Sequence, residues 1–279
     1  MIRVLSAFKA FRFRNLVILA IAQFSTAYFL GSRNVEIFEN PSLWILAIAT
    51  SFIAAAGYII NDYYDIKIDL VNHPDKVVIG KELPRRQAII LHTLFNAIGI
   101  ALGVWVSLKV GAVNLVSAFF LWWYSNYLKK IAFVGNLVIG ILTGVSIALV
   151  GVLFPSNMES IAIFAFFAGA ISIIREIIKD IEDQVGDKKF GYKTLPVVLG
   201  IRKTKNLLSV LIILFSLSYI VMSYLQFRSS WMIFAIVLVP FLLVLMVRLY
   251  RADTKQDFVW LSGYCKIIML VGIGLMTIV

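Results

Sequence analysis

Six of the aspartates in this chain fall into two runs that share one spacing. NDYYDIKID carries Asp62, Asp65 and Asp69, and DIEDQVGD carries Asp180, Asp183 and Asp187, each trio at i, i+3 and i+7. At about 100° per helical residue, each trio lies within roughly 60° of one helix face. Two such faces are donor sets for two divalent cations. Hard carboxylate oxygens suit Mg2+, which takes one or two protein carboxylates and completes its shell with water and phosphate oxygens. The chemistry this points to is work on a phosphate-bearing ligand.

The neighbours of the second run sharpen that reading. In REIIKDIEDQVGDKKFGYKTLP, Arg175, Lys179 and Lys188 alternate with the acids, as do Lys189 and Lys193. Acids alone repel a diphosphate, whereas acids with cations hold metal ions and also neutralise phosphate oxygens directly. The first run continues from Asn61, and Lys76 follows it; both are candidate ligand contacts, as is Asn136 just inside a later apolar stretch. Between the runs, YSNYLKKIAFVGN offers Tyr124 and Lys129 as candidate catalytic groups. Tyr124 reads equally as an interfacial aromatic, and Lys266 in the last apolar stretch reads equally as a snorkelling lysine. Asp69 lies at the helix edge and reads also as a loop acid. His73 and His92 are isolated and read as structural residues.

The elements that must position these groups are membrane helices. The 279 residues are 61% apolar and 15% charged, with a mean hydropathy of +0.92, against about 25% charged in soluble chains. Charge-free runs predict nine spans: Asn15–Ser32, Asn40–Asn61, Gln87–Leu108, Val110–Leu128, Ile131–Met158, Ser160–Ile174, Asn206–Phe227, Ser229–Val247 and Phe258–Val279, the last carrying Lys266. Most approach the roughly 20 residues that cross about 30 Å of hydrocarbon. With the N-terminus inside, most Lys and Arg fall on the cytoplasmic side, and only Arg33, Lys109 and Arg228 lie outside. The positive-inside rule thus predicts a cytoplasmic N-terminus, an external C-terminus and both acidic runs facing the cytoplasm of a cell-membrane protein. The net charge of +11 is mostly this asymmetry plus attraction to anionic lipid, and it needs no nucleic acid. The first apolar run exceeds a signal-peptide core and lacks a small-x-small cleavage site, so it is read as a helix. Cys265 is the one cysteine, which excludes an intrachain disulfide and a cysteine metal cluster. No linker divides the chain, so residues 1–279 are expected to form a single membrane domain. Each acidic run ends an even-numbered span, a hint of an old internal repeat.

These residues resemble the UbiA superfamily of intramembrane prenyltransferases. The family signature N-D-x-x-D-x-x-x-D is matched by Asn61, Asp62, Asp65 and Asp69, and D-x-x-D-x-x-x-D by Asp180, Asp183 and Asp187. REIIKDIEDQVGDKKFGYKTLPVVLG with GNLVIGILTG looks most like the geranylgeranylglycerol-phosphate geranylgeranyltransferase branch. The chain departs from the family's N-R-P-x-R-P, having NHPDKV instead, so His73 and Lys76 stand where arginines are usual and Val77 where proline is. Lys lacks Arg's bidentate fork.

The resemblance implies an all-α bundle of nine transmembrane helices around a central cavity. It also implies Mg2+-dependent transfer of a polyprenyl group, geranylgeranyl in this branch, from its diphosphate to a lipid-soluble acceptor, geranylgeranylglycerol phosphate, in membrane lipid synthesis. Mg2+ at the two acid faces would bind the donor diphosphate, Lys and Arg would offset the departing charge, and an apolar chamber lined by aromatic faces would keep water from the allylic cation. Two other readings stay open: a prenyltransferase with an aromatic or quinone-precursor acceptor, and a cation-coupled transporter. Against the transporter, the acids sit at helix ends with phosphate-type cations. A membrane scaffold would have no use for two matched acid faces.

Overall fold

The computed structural model of the protein describes residues 11–279, the side chain of Lys76 excepted. Among the described residues the regular structure is helical, apart from two isolated bridges. Among the described residues eight helical stretches are long and apolar enough to cross a membrane, so the chain is a multi-pass membrane protein. The expected fourth span forms a helix of 19 residues, Leu108–Asn126, but it is not among those eight. Lys109, Asn114, Trp122, Trp123, Tyr124 and Asn126 lower its mean hydropathy.

Two compact units divide the described residues, one comprising 11–24 with Asn34–Lys129, the other Ser25–Arg33 with Lys130–Val279. The first helix among the described residues, α1, runs Phe13–Ser25. The first unit is built chiefly on α2 (Pro41–Asn72), α3 (Arg85–Val106) and α4 (Leu108–Asn126). Asn40 starts α2 by accepting the Ser42 N–H at 2.9 Å, with Pro41 at the first turn where its missing N–H costs nothing. At about 1.5 Å per residue the 32 residues of α2 outrun the hydrocarbon. The last third of α2 therefore carries Asn61–Asn72 beyond the apolar stretch on unbroken helix, and Asp69 is a helical residue. The expected boundary at Asn61 fell short because charge ends a lipid-compatible run and leaves backbone hydrogen bonding untouched. A single extended residue, Ser107, turns α3 into α4, and its hydroxyl accepts the Val110 N–H at 3.1 Å. His92 on α3 approaches the Ala56 carbonyl at 3.0 Å and pins α3 to α2, a structural role as its isolation implied.

The second unit contains α5 (Val134–Ala148), α6 (Met158–Lys189), the short α7 (Leu195–Leu199), α8 (Ile201–Gln226), α9 (Trp231–Arg251) and α10 (Lys255–Leu275). The expected fifth span, Ile131–Met158, does not hold as one helix. It tightens into a 3-10 turn at Leu149–Val152 and breaks before Pro155, where proline disfavours helix in the preceding residue. The sixth span does not stop at Ile174; α6 carries on through the second acid run to Lys189. Its core face, Ile171, Ile174, Ile177, Ile178 and Ile181, is buried against the other helices of the unit, and that packing holds the helix straight through the charges.

Close contact between α5 and α6 fixes the height of the second acid run. A Cβ on Gly169 would lie 2.9 Å from the Gly140 carbonyl oxygen, and one on Gly140 would lie 2.9 Å from the Gly169 carbonyl oxygen. Backbones this near require glycine on both sides. Gly169→Leu is expected to destabilise the protein by about 1–3 kcal/mol through forced separation of the helices. Gly263→Ala, where an added Cβ meets nothing within 4 Å, is expected to be neutral or slightly stabilising. Thermal unfolding of both variants in detergent checks the pair.

Candidate active site

Each unit gathers one acid run, and in each two of the three carboxylates are held by side-chain partners. In the first unit, Arg12 donates to Asp62 at 2.7 Å, and its guanidinium lies 5.0 Å from the centroid of the Tyr58 ring. Asn15 donates to the Tyr58 hydroxyl at 3.3 Å, steadying that platform. Lys129 donates to Asp65 at 2.5 Å and to the Asn61 amide oxygen at 3.4 Å. The Lys129 side chain is 8% exposed, Asp65 14% and Asp62 18%. Ion pairs this sheltered feel far less screening than surface pairs, and removing one partner strands the other charge.

Of the residues expected in the first group, Asn61, Asp62, Asp65 and Lys129 come together. Asp69 is half-buried in the last turn of α2, and its carbonyl accepts the His73 N–H at 2.7 Å. Tyr124 is half-buried in the last turn of α4. The Lys76 side chain lies outside the described residues.

In the second unit, the Asn136 amide donates to Asp180 at 2.8 Å. Asp187 is buried, accepts the Thr194 hydroxyl at 3.0 Å, and its carbonyl accepts the Tyr192 N–H at 2.8 Å. These donors fix the orientation of two carboxylates, as hydrogen-bonded partners of metal-binding carboxylates do. Asp183 is half-buried between them in sequence. Lys188 is exposed in the last turn of α6 beside Lys189, where both complement the helix dipole.

Arg175 and Lys179 meet on a residue that the spacing argument passed over. Glu176 forms an ion pair with Arg175 and lies 3.7 Å from Lys179. It sits one turn before Asp180, so Glu176, Asp180, Asp183 and Asp187 extend one acid stripe along α6 toward its apolar stretch. The signal was present in the sequence, because Glu176 precedes Asp180 by four residues. Thr194 was visible only as part of the KTLP that follows the run. In the sequence Arg12 is one of the basic residues that set the charge asymmetry. Its pairing joins residues 50 apart and leaves no local pattern.

The donor set fits a hard divalent cation. Among the described residues each group offers carboxylate oxygens on a single helix face, and Cys265 is buried away as the chain's one thiol. Asp62, Asp65 and Asp69 on α2, and Asp180, Asp183 and Asp187 on α6, are residues that could hold such a cation.

Comparison with known proteins adds a second line. The profile of the UbiA prenyltransferase family matches residues 18–261. Digeranylgeranylglyceryl phosphate synthase of Thermococcus gammatolerans is 32% identical over 219 residues, covering 78% of each chain. A solved structure reported for digeranylgeranylglyceryl phosphate synthase superposes with a TM-score of 0.76 at 23% identity, over 99% of this chain and 98% of that one. A UbiA homologue from Archaeoglobus fulgidus, bound to GPP and Mg2+, superposes with a TM-score of 0.64 at 15% identity, over 98% and 99% of the two chains. The structural likenesses establish the fold.

The Lys129–Asp65 pair yields a test of its own. Lys129→Met is expected to destabilise the protein by about 3 kcal/mol, because it leaves a sheltered carboxylate without its cation. Adding Asp65→Asn is expected to recover most of that loss. A double-mutant cycle by thermal or denaturant unfolding measures the coupling.

Proposed function

Because the chain belongs to the UbiA prenyltransferase family, we propose that it transfers a geranylgeranyl group from its diphosphate to geranylgeranylglycerol phosphate, forming an ether lipid precursor with Mg2+ as cofactor. The observation that carries this reading is the identity of 32% across 78% of the chain to a digeranylgeranylglyceryl phosphate synthase. The Mg2+ and GPP bound by the Archaeoglobus homologue support the metal and the donor class. The basic asymmetry of the loops supports a cytoplasmic N-terminus with both acid runs on that side, and Leu108–Asn126 is then the ninth span.

In this reading the allylic C–O bond of the donor breaks heterolytically, and diphosphate leaves with the electron pair. The acceptor hydroxyl oxygen forms the new C–O bond and releases its proton to a carboxylate or diphosphate oxygen. Bound Mg2+ supplies Lewis-acid neutralisation of the leaving group. Asp62, Asp65, Asp69, Asp180, Asp183 and Asp187 hold the cations, while Asn136 and Thr194 orient Asp180 and Asp187. Lys129, Arg175, Lys179, Lys188 and Lys76 contribute positive charge against the departing diphosphate. Asn61 aligns Lys129, and Tyr124 lies close in sequence to the same lysine.

Purified protein is expected to release diphosphate from geranylgeranyl diphosphate only with both Mg2+ and the glycerol-phosphate ether present, and EDTA is expected to stop it. Release only with an aromatic acceptor would move the protein to quinone-precursor chemistry. Asp62→Ala, Asp65→Ala and Asp183→Ala are each expected to reduce turnover by at least about a hundredfold while the protein stays folded in detergent. Near-normal turnover in all three would remove the metal assignment.

A further inference from the structure

Away from the acid carboxylates, the first unit carries a groove of about 530 Å3 at the polar end of α2. Its floor is Ile66 and Leu70 from α2 with Val77 and Ile79 from the connection to α3, and its rim carries Lys81 and Arg85. We propose that this groove binds an anionic phospholipid of the surrounding bilayer, with the phosphate at Lys81 and Arg85 and the upper chains along Ile66 and Leu70.

The groove is more open than enclosed. Its volume lies within the range of small-molecule pockets, about 300–1,000 Å3. The wall is a closed turn in which Glu82 N–H donates to the Val78 carbonyl at 2.8 Å and Gly80 N–H to the Leu83 carbonyl at 2.8 Å. Gly80 holds a φ of +89°, which a side chain would strain. Ile79 and Leu83, each 1% exposed, anchor the turn against Ile59 and Ala88. Of the apolar floor, Leu70 is the open member, 48% exposed. A large apolar side chain bared beside two cations, at the end of a membrane helix, matches a lipid at the bilayer boundary.

The charge is complementary to an anion. Lys81 uses one N–H on the Pro74 carbonyl at 2.8 Å, which fixes the ammonium at the rim with two further donors. Arg85 is placed by the Tyr63 ring, whose centroid lies 5.9 Å from the guanidinium carbon. Arg85 also opens α3, whose first turn has no acid and whose N-cap, Pro84, supplies no side-chain acceptor. The positive end of that helix therefore adds to the two side chains. The acids of the same segment, Asp75 and Glu82, do not line the groove. An apolar floor would be wasted on free phosphate, and paired cations would gain little from a zwitterionic headgroup.

The lipid can be read directly. Full-length protein in mixed micelles with equal amounts of phosphatidylglycerol and phosphatidylcholine is released intact in a mass spectrometer. Wild type is expected to retain phosphatidylglycerol over phosphatidylcholine by about tenfold or more. Lys81→Gln/Arg85→Gln is expected to erase that preference. Leu70→Trp, which fills the floor without altering charge, is expected to lower retained phosphatidylglycerol by a similar factor. All three side chains are exposed, and an unchanged melting curve confirms that each variant is folded. Equal retention of the two lipids by wild type, an intact preference in the charge variant, or undiminished retention in Leu70→Trp would each overturn the proposal. Inorganic phosphate alone is expected to leave the melting temperature unmoved. A phosphate-dependent rise that the charge variant loses would assign the site to a free anion instead.

Discussion

A carboxylate at the end of an apolar helix is tolerated only with a partner, and that constraint organises both halves of this chain. An ionised Asp set deep in a span costs roughly 2.5–3.5 kcal/mol on insertion scales, so it must face a cation, a hydrogen-bond donor or a metal. The protein meets this need differently in its two units. On α2 the partners are charges, Arg12 for Asp62 and Lys129 for Asp65. On α6 they are neutral donors, Asn136 for Asp180 and Thr194 for Asp187, while the local cations gather on Glu176. The first arrangement keeps positive charge beside the carboxylates; the second fixes carboxylate orientation.

The long helices follow from the same need. Presenting three acids at i, i+3 and i+7 on a helix that also spans the bilayer takes more residues than the bilayer alone. Both α2 and α6 have 32 residues. Extra turns beyond the lipid must be held by packing, and different contacts do so in each unit. In the first, the turn after α2 folds back on Ile59 and Ala88. In the second, the glycine contact between α5 and α6 brings Asn136 to the level of Asp180.

Much of this was legible in the linear sequence because the relevant periodicities are local. Hydropathy located the helices, and the acid spacing identified the faces without any coordinates. Reading failed where a one-dimensional rule stood in for a three-dimensional one. Charge marked the ends of lipid-compatible runs, yet α2 and α6 ran on past Asn61 and Ile174 since their buried faces continue. Ile131–Met158 looked like one span by its lack of charge, yet Pro155 broke it.

What the sequence determined by itself was the class of the protein: a multi-pass membrane chain, two carboxylate faces of fixed helical phase, and membership of a prenyltransferase family. What only the tertiary structure decided was which charge answers which. Arg12 and Asp62 are 50 residues apart, and Lys129 and Asp65 are 64 apart. Helical phase depends on neighbours three and four residues away and is written into the string. Ion pairs across such distances depend on how helices pack, and a salt bridge forms with whichever cation the packed backbone brings within reach.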